Sequence, residues 1–188
     1  MILSDRHIKL ALRDEMIGIS PYRPERLQPA SYDLSLGGEF IHWRSGGGSS
    51  VIDMSSPGGY ETNGEKVETH SHFIMNPGEF VLACTEEVVM VSDRYVARLE
   101  GKSSIARIGL MVHVTAGFVD PGWSGVLTLE LVNLRDRPVR LWVGQPIAQV
   151  SFYPVSQPVE KPYNGSYVGS KGVVPSRFSG IPAQVKTS

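Results

Sequence analysis

The sequence has little cysteine, no long apolar run and almost no net charge. Cys84 is its one cysteine, so neither an internal disulfide nor a multi-cysteine zinc site is available. No stretch approaches the roughly 18 apolar residues of a membrane span, and Asp5 and Arg6 interrupt the place of a signal peptide's apolar region. A net charge of −1 argues against a large basic surface for nucleic acid. We therefore expect a soluble, cytoplasmic protein that binds neither nucleic acid nor membrane.

Glycine and proline are abundant, at 20 and 13 of 188 residues. Frequent turn residues between short apolar runs favour strands over long helices. Together with the length of one compact domain, they predict an all-β fold, a β-sandwich or a jelly-roll-like barrel. The predicted strands, besides an alternating run around Tyr32–Leu36, are Phe73–Met75, Phe80–Val91, Tyr95–Glu100, Val112–Thr115, Val126–Asn133, Val139–Trp142 and Pro146–Tyr153.

Three parts of the chain differ from this strand pattern. Ser4 is a plausible N-cap of a short helix whose apolar face carries Ile8, Ala11 and Leu12. Residues 45–67 are rich in Gly, Ser and Pro and predict an exposed loop or a loose hairpin. We expect one β-barrel domain over residues 1–154 and a C-terminal arm over 155–188 whose end is disordered.

The segment Gly101–Gly109 has the composition of an anion site. Small residues before a brief helical run would gather backbone N–H groups and the hydroxyls of Ser103 and Ser104, and Lys102 adds a cation. Ser103 and Arg107 are one helical turn apart. A capped structural helix is the alternative reading.

Glu130 is a carboxylate within the apolar strand Val126–Asn133. Alternation places Leu127, Leu129 and Leu131 on one face, and Thr128, Glu130 and Val132 on the other. If it is buried beside a cation such as Arg107, Glu130 is a candidate general base. The alternative is an ordinary carboxylate facing solvent.

Six segments in register resemble the dCTP deaminase family of the dUTPase-like superfamily, from Met1 to about Phe178. They are Met1–Asp5, Gln28–Leu34, Gly101–Arg107, Thr115–Gly122, Leu127–Glu130 and Pro175–Arg177. The resemblance implies a distorted jelly-roll barrel with a short N-terminal helix, assembled as a homotrimer with active sites between subunits. It also implies deamination of dCTP at cytosine C4 by a glutamate and a water, without zinc.

The resemblance assigns roles to residues of this chain. Glu130 is the implied general base, Ser103 and the carbonyl of Ala116 position water and base, and Arg107 lies beside the glutamate. Asp120 meets the deoxyribose hydroxyl. The full implied nucleotide-binding set is Lys102, Ser103, Ser104, Ile105, Ala106, Arg107, Asp120, Thr128, Leu129, Glu130, Gln149, Tyr163, Tyr167 and Lys171.

The product is the finer question. Gly117-Phe118 resembles the branch that also removes pyrophosphate and releases dUMP, whereas dUTP-forming enzymes typically carry His-Arg there. Mg²⁺ would accompany the triphosphate, with no ligand from protein side chains, and dTTP is a candidate feedback inhibitor. Ser166 and Ser170 replace a lysine and a glutamine of the family's tail, so dCMP or modified cytosine nucleotides are conceivable substrates. The alternatives are a dUTP-releasing deaminase, a dUTP diphosphatase, and a nucleotide sensor without deamination.

Overall fold

The computed structural model describes residues 1–43 and 64–178, and its fold is all-β with two short α-helices. The predicted fold class is therefore confirmed, while the jelly-roll form and the trimer stay predictions. None of the described helices is long and apolar enough to cross a membrane. The elements are α1 (Asp5–Arg13), β1 (Ile17–Ser20), a 3-10 turn (Pro24–Arg26), β2 (Tyr32–Trp43), β3 (Gly64–Glu68), β4 (His72–Met75), β5 (Phe80–Val91), β6 (Tyr95–Gly101), α2 (Ser103–Ala106), β7 (Leu110–Met111), β8 (Phe118–Val119), β9 (Ser124–Asn133), β10 (Val139–Trp142) and β11 (Pro146–Pro154).

Within the described residues, nine strands form one sheet and β10 pairs with β4 in a second, smaller one. The main path runs β7-β9-β5-β2-β11-β6-β8, with β1 on β5 and β3 on β2. In a flat sheet β7 and β8, at its two ends, would lie about 29 Å apart. The chain from Met111 to Phe118 reaches at most about 25 Å. The sheet must therefore curl until its two edges approach each other.

The core lies inside this curl and is built from the alternating apolar residues of the long strands. Tyr32, Phe40 and Phe152 are among its largest fully buried side chains, and each buried side chain of this kind contributes about 2 kcal/mol. Helix α1 covers the core with Ile8 and Ala11, as its apolar face predicts. Burial raises the pKa of the Cys84 thiol to about 11, so this cysteine is an inert packing residue.

The predicted strand Val112–Thr115 is wrong. This segment crosses from β7 to β8, between the two edges of the sheet, and forms no ladder with either. Its β-branched residues favour extended backbone, but a strand also needs a neighbour in register. The end of the predicted loop or hairpin at 45–67 forms β3, which pairs antiparallel with β2. Residues 44–63 lie outside the described residues.

A bulge in β5 buries a carboxylate. The register of β5 shifts between Cys84 and Val88, and Glu87 is fully buried there. Its Oε2 accepts a hydrogen bond from the Ser35 backbone N–H at 2.8 Å, and its Oε1 lies 3.2 Å from Arg23 Nη1. Loss of hydration outweighs these contacts and raises the pKa of Glu87 above its ordinary value of 4.5.

This raised pKa predicts a pH-dependent stability difference between the wild type and Glu87→Gln. The folded protein holds the Glu87 proton more tightly than the unfolded chain. The contribution of Glu87 to stability therefore falls as pH rises from the pKa of Glu87 in the unfolded chain to its higher pKa in the folded protein. The unfolding free energy of the wild type relative to the variant should be larger at about pH 4 than at about pH 8. Urea unfolding followed by tryptophan fluorescence measures it, and parallel pH profiles would contradict the prediction.

Candidate active site

Glu130 lies on the face of β9 that points away from the core. Leu129 and Leu131 beside it are fully buried, whereas Glu130 is half-buried, so the predicted two faces of β9 are confirmed. Its Oε2 accepts a hydrogen bond of 3.0 Å from the backbone N–H of Val114. Its Oε1 accepts none from the described residues. One carboxylate oxygen is thus fixed and the other is available.

The edge of β9 beside Glu130 is incompletely paired. In β9, the even-numbered residues direct their backbone N–H and C=O groups away from β5. The N–H of Val126, for example, donates to the carbonyl of Ser170 at 3.0 Å. At the other end of the strand, Val132 pairs with Met111 of β7. Between these two ends, the described residues provide no partner for the edge-facing backbone groups of Thr128 and Glu130.

The C-terminal arm forms one border of this gap. Besides the Ser170 contact, the N–H of Gly169 donates to the carbonyl of Ser124 at 2.7 Å. Gly125 permits the approach, since a Cβ there would lie 3.0 Å from Ser170 N. Val173 is buried in a small apolar cluster, and its N–H donates to Glu39 Oε2 at 3.2 Å. Residues 155–178 therefore lie against the curled sheet.

Other predicted arm residues contact their surroundings in different ways. The N–H of Tyr163 donates to the carbonyl of Pro121 at 2.7 Å, and its ring lies 6.0 Å from that of Trp123. The Tyr167 hydroxyl accepts a hydrogen bond from the N–H of Arg177 at 2.8 Å. Lys171 is exposed.

Helix α2 is a single turn that follows β6 directly. Ser103, Ser104 and Arg107 are exposed. Within the described part of the chain, Arg107 makes no ion pair, and the Ser103 and Ser104 hydroxyls make no hydrogen bond. The cation expected beside Glu130 is therefore not supplied by Arg107 of the same chain.

The connection from β7 to β8 forms the opposite border of the gap. Ala116 is exposed, and the carbonyl of Gly117 accepts a hydrogen bond from the Leu99 N–H at 2.7 Å. A Cβ on Gly117 would lie 2.6 Å from the Leu99 carbonyl oxygen and 3.3 Å from the His113 ring. Gly117 is thus required by the path of this connection, while Phe118 beside it is 61% exposed.

Sequence reasoning missed three contacts around the predicted residues. The Val114 N–H that fixes Glu130 belongs to a segment predicted as a strand. Lys102 is not a free cation, because its Nζ lies 2.5 Å from Oδ1 of the buried Asp33. Both ends of the Gln149 amide are occupied within the chain. A sequence signal could have found Asp33, because it is a carboxylate within an apolar strand, the same pattern that identified Glu130.

Solved structures define the class of protein by its fold. A 2′-deoxycytidine 5′-triphosphate deaminase from Agrobacterium tumefaciens superposes with a TM-score of 0.62 at 21% identity, covering 80% of this chain. This chain spans just under half of that protein, since the match covers 47% of it. A dUTPase mutant from Staphylococcus bacteriophage 80alpha gives 0.50 at 16% identity, covering 80% and 92% of the two chains. The fold is thus of the dUTPase-like class.

The family follows from sequence comparison. The family model described as dCTP deaminase-like matches residues 2–155. A protein of Bifidobacterium adolescentis named dCTP deaminase, dUMP-forming, is 41% identical over 182 residues, which cover 94% of each chain. The chain belongs to the dCTP deaminase-like family.

The contact between the arm and the turn at Gly122 predicts how the arm can be released. Gly122 has φ +94°, and a Cβ there would lie 2.7 Å from Pro162 Cβ and 2.8 Å from Tyr163 N. Gly122→Ala should therefore displace the arm and accelerate tryptic cleavage between Lys171 and Gly172, which mass spectrometry detects. Gly144→Ala is the matched control.

Gly144 has φ +80° and nothing within 4 Å of its Cβ position. Both variants carry the left-handed backbone penalty of about 1 kcal/mol, but Gly144→Ala adds no clash. Equal cleavage rates in the two variants would contradict the proposed docking contact.

Proposed function

We propose that this chain deaminates dCTP and releases dUMP. The observation that carries the proposal is the gap in the edge of β9, where unpaired backbone groups of Thr128 and Glu130 adjoin a half-buried carboxylate. Membership of the dCTP deaminase-like family and the name of the Bifidobacterium relative support the same reaction.

Glu130 acts as the general base. Its Oε2 is held by the Val114 N–H, so Oε1 is free to take a proton from a water beside the base. As the water oxygen bonds to C4 of cytosine, Glu130 takes one proton of the water and passes it to N3. Glu130 then takes the proton of the new C4 hydroxyl and gives it to the amino group, so that C4=O forms, the C4–N4 bond breaks and ammonia leaves.

The open edge of β9 recognises the pyrimidine. Thr128 and Glu130 present backbone N–H and C=O groups there, flanking Leu129. The amino donor and the ring acceptors of cytosine can pair with this row of backbone groups, in the way that an added strand pairs with the edge of a sheet. The Ala116 carbonyl and the Ser103 hydroxyl are further groups that position the cytosine ring and the attacking water.

The phosphate chain lies on the segment after β6. Lys102 supplies a cation, and Ser103 and Ser104 supply exposed hydroxyls that have no described partner. Backbone groups of Ile105 and Ala106 border the same turn, and Asp120 binds the deoxyribose hydroxyl. The arm, of which the structure describes residues 155–178, closes over the nucleotide bound by residues 1–154, with Tyr163, Tyr167 and Lys171 facing it. Gln149 acts indirectly, because its amide is occupied.

Magnesium is carried by the nucleotide in this proposal. Among the residues that the structure describes, no three His, Cys, Asp or Glu side chains gather into a metal site. Mg²⁺ keeps several waters and binds readily through substrate phosphates. When bound, it would neutralise triphosphate charge, and the chain contributes Lys102 to the same end.

The active site is completed by a second subunit of a homotrimer. Among residues 1–43 and 64–178, Glu130 has no cationic partner, and Arg107 is exposed without an ion pair. Large apolar side chains near both residues are also exposed, namely Phe118 at 61%, Ile108 at 49% and Val114 at 44%. An interface that covers them would bring Arg107 of one subunit to Glu130 of another.

The geometry at Gly117 favours the dUMP-forming branch. The histidine typical of dUTP-forming enzymes would clash with the Leu99 carbonyl along this backbone path. The water that attacks the α-phosphate would be positioned near Asp120, which begins the adjoining turn. Hydrolysis there breaks the bond between the α- and β-phosphates and releases pyrophosphate.

The product assay tests this function. Purified protein with dCTP and Mg²⁺ should release ammonia, dUMP and pyrophosphate without accumulating dUTP. Glu130→Gln should lower the rate of ammonia release by about 10² to 10⁴, because the general base is lost. Glu68→Gln, in an exposed surface pair with Lys66, is the matched control and should keep the full rate.

Three outcomes would redirect the proposal. Ammonia with dUTP alone would indicate the simpler branch. Pyrophosphate release from dUTP without any ammonia from dCTP would indicate a diphosphatase. Full ammonia release by Glu130→Gln would refute the proposed base.

Subunit complementation tests the shared site. Glu130→Gln and Arg107→Ala should each be nearly inactive as pure proteins. After mixed refolding in equal amounts, about a quarter of the sites should combine intact Glu130 with intact Arg107. Ammonia release should therefore recover to about a quarter of the wild-type rate. No recovery, with trimers present by light scattering, would place both residues in one subunit.

A further inference from the structure

Asp33 is a buried carboxylate that the proposed reaction does not use. Its neighbours in β2, Tyr32 and Leu34, point into the core, so Asp33 points to the opposite face. It is nevertheless 6% exposed. Its Oδ2 accepts a hydrogen bond from Gln28 Nε2 at 3.2 Å, and its Oδ1 lies 2.5 Å from Lys102 Nζ. A buried carboxylate of this kind requires a compensating charge, and here Lys102 provides it.

This ion pair differs from the exposed pair next to it. In this exposed pair on β6, Arg98 Nε lies 3.4 Å from Glu100 Oε1, and both side chains are about half exposed. Solvent and salt therefore weaken their attraction. The side chains of Lys102 and Asp33 are only 22% and 9% exposed. A lysine has a long, flexible side chain whose ammonium is otherwise free to move. Asp33 is the carboxylate that this ammonium contacts, as an ion pair rather than a well-aligned hydrogen bond.

The backbone before Lys102 is held by the same group of strands. Strand β11 lies between β2 and β6, and Gln149 is opposite both Asp33 and Glu100. The Ser31 hydroxyl donates to Gln149 Oε1 at 3.0 Å, and Gln149 Nε2 donates to the Gly101 carbonyl at 3.0 Å. Asp33 thus fixes the side chain of Lys102 while Gln149 fixes the backbone leading to it.

We propose that Asp33 is a positioning residue for phosphate recognition. It holds the Lys102 ammonium, at the start of the exposed turn Ser103–Ala106, in the place where it meets the phosphate chain of the nucleotide. This inference rests on the proposed function and extends it. It makes part of the affinity for the triphosphate depend on Asp33, which acts through the position of Lys102. Without Asp33, the ammonium loses its partner and its fixed position, so nucleotide binding weakens while the chemistry at C4 is unchanged.

The test is a double-mutant cycle in the full chain. Asp33→Asn should raise KM for dCTP about tenfold, with kcat within about twofold of wild type. Lys102→Gln should raise KM at least as much. The double variant should be no worse than Lys102→Gln alone, because Asp33 acts only through Lys102. Glu100→Gln, which removes a carboxylate from the same face, is the matched control and should leave KM unchanged.

Several results would overturn the inference. An Asp33→Asn protein with a lower melting temperature and an unchanged KM would make the pair purely structural. A lower KM would mean that Asp33 competes with phosphate for the lysine. Additive effects in the double variant would separate Asp33 from Lys102. If Asp33→Asn does not fold, Asp33→Glu moves the carboxylate by one methylene and should also raise KM, and an unchanged KM would again refute the role.

The same cycle measured without turnover separates this inference from the proposed function. Calorimetry gives dissociation constants for dCTP with Mg²⁺ in the Glu130→Gln background, where product forms about 10² to 10⁴ times more slowly than in the wild type. An effect of Asp33→Asn that disappears in the Lys102→Gln background supports the inference even if the wild type releases no ammonia. Equal dissociation constants with and without Asp33 would overturn it even if deamination is confirmed.

Discussion

Strand β9 pairs with β5 along one edge, with one bulge, and only at its ends along the other edge, and the rest of the site depends on this difference. From Thr128 to Val132 the register with β5 is constant, and with Leu129 and Leu131 buried this fixes the outward direction of Glu130. On the free edge, the arm pairs near Val126 and β7 pairs near Val132. Between these ends the backbone groups of Thr128 and Glu130 have no partner among the described residues, and the proposed function places the pyrimidine there.

Curling of the sheet explains why the borders of that gap come from distant parts of the chain. It brings β7 and β8 close enough for residues 112–117 to join them, and this connection supplies the Val114 N–H to Glu130. Gly117 lies against Leu99 in the same connection. A change in this segment therefore alters both the position of the Glu130 carboxylate and the space beside it.

Two buried carboxylates play different parts in the barrel. Glu87 fills the bulge of β5 and bonds to the backbone of β2, so its burial is a matter of stability. Asp33 lies beside the segment that follows β6 and pairs with a partly exposed lysine. Strand alternation turns Asp33 away from the core, and a bulge holds Glu87. Burial raises the pKa of Glu87, whereas Asp33 meets the ammonium of Lys102.

The sequence alone determined the long strands and the faces of β9, because alternation along a strand is a local property, while the short strands β1, β7 and β8 were not predicted. The limits of β5 and β10 were predicted to the residue, and six short motifs indicated the family. The segment 112–115 was misread, because its path depends on how far the sheet curls. Partners such as Asp33 for Lys102 and Val114 for Glu130 lie on different elements. Only the tertiary structure decides such contacts, since distance in space between strands does not follow from spacing along the chain.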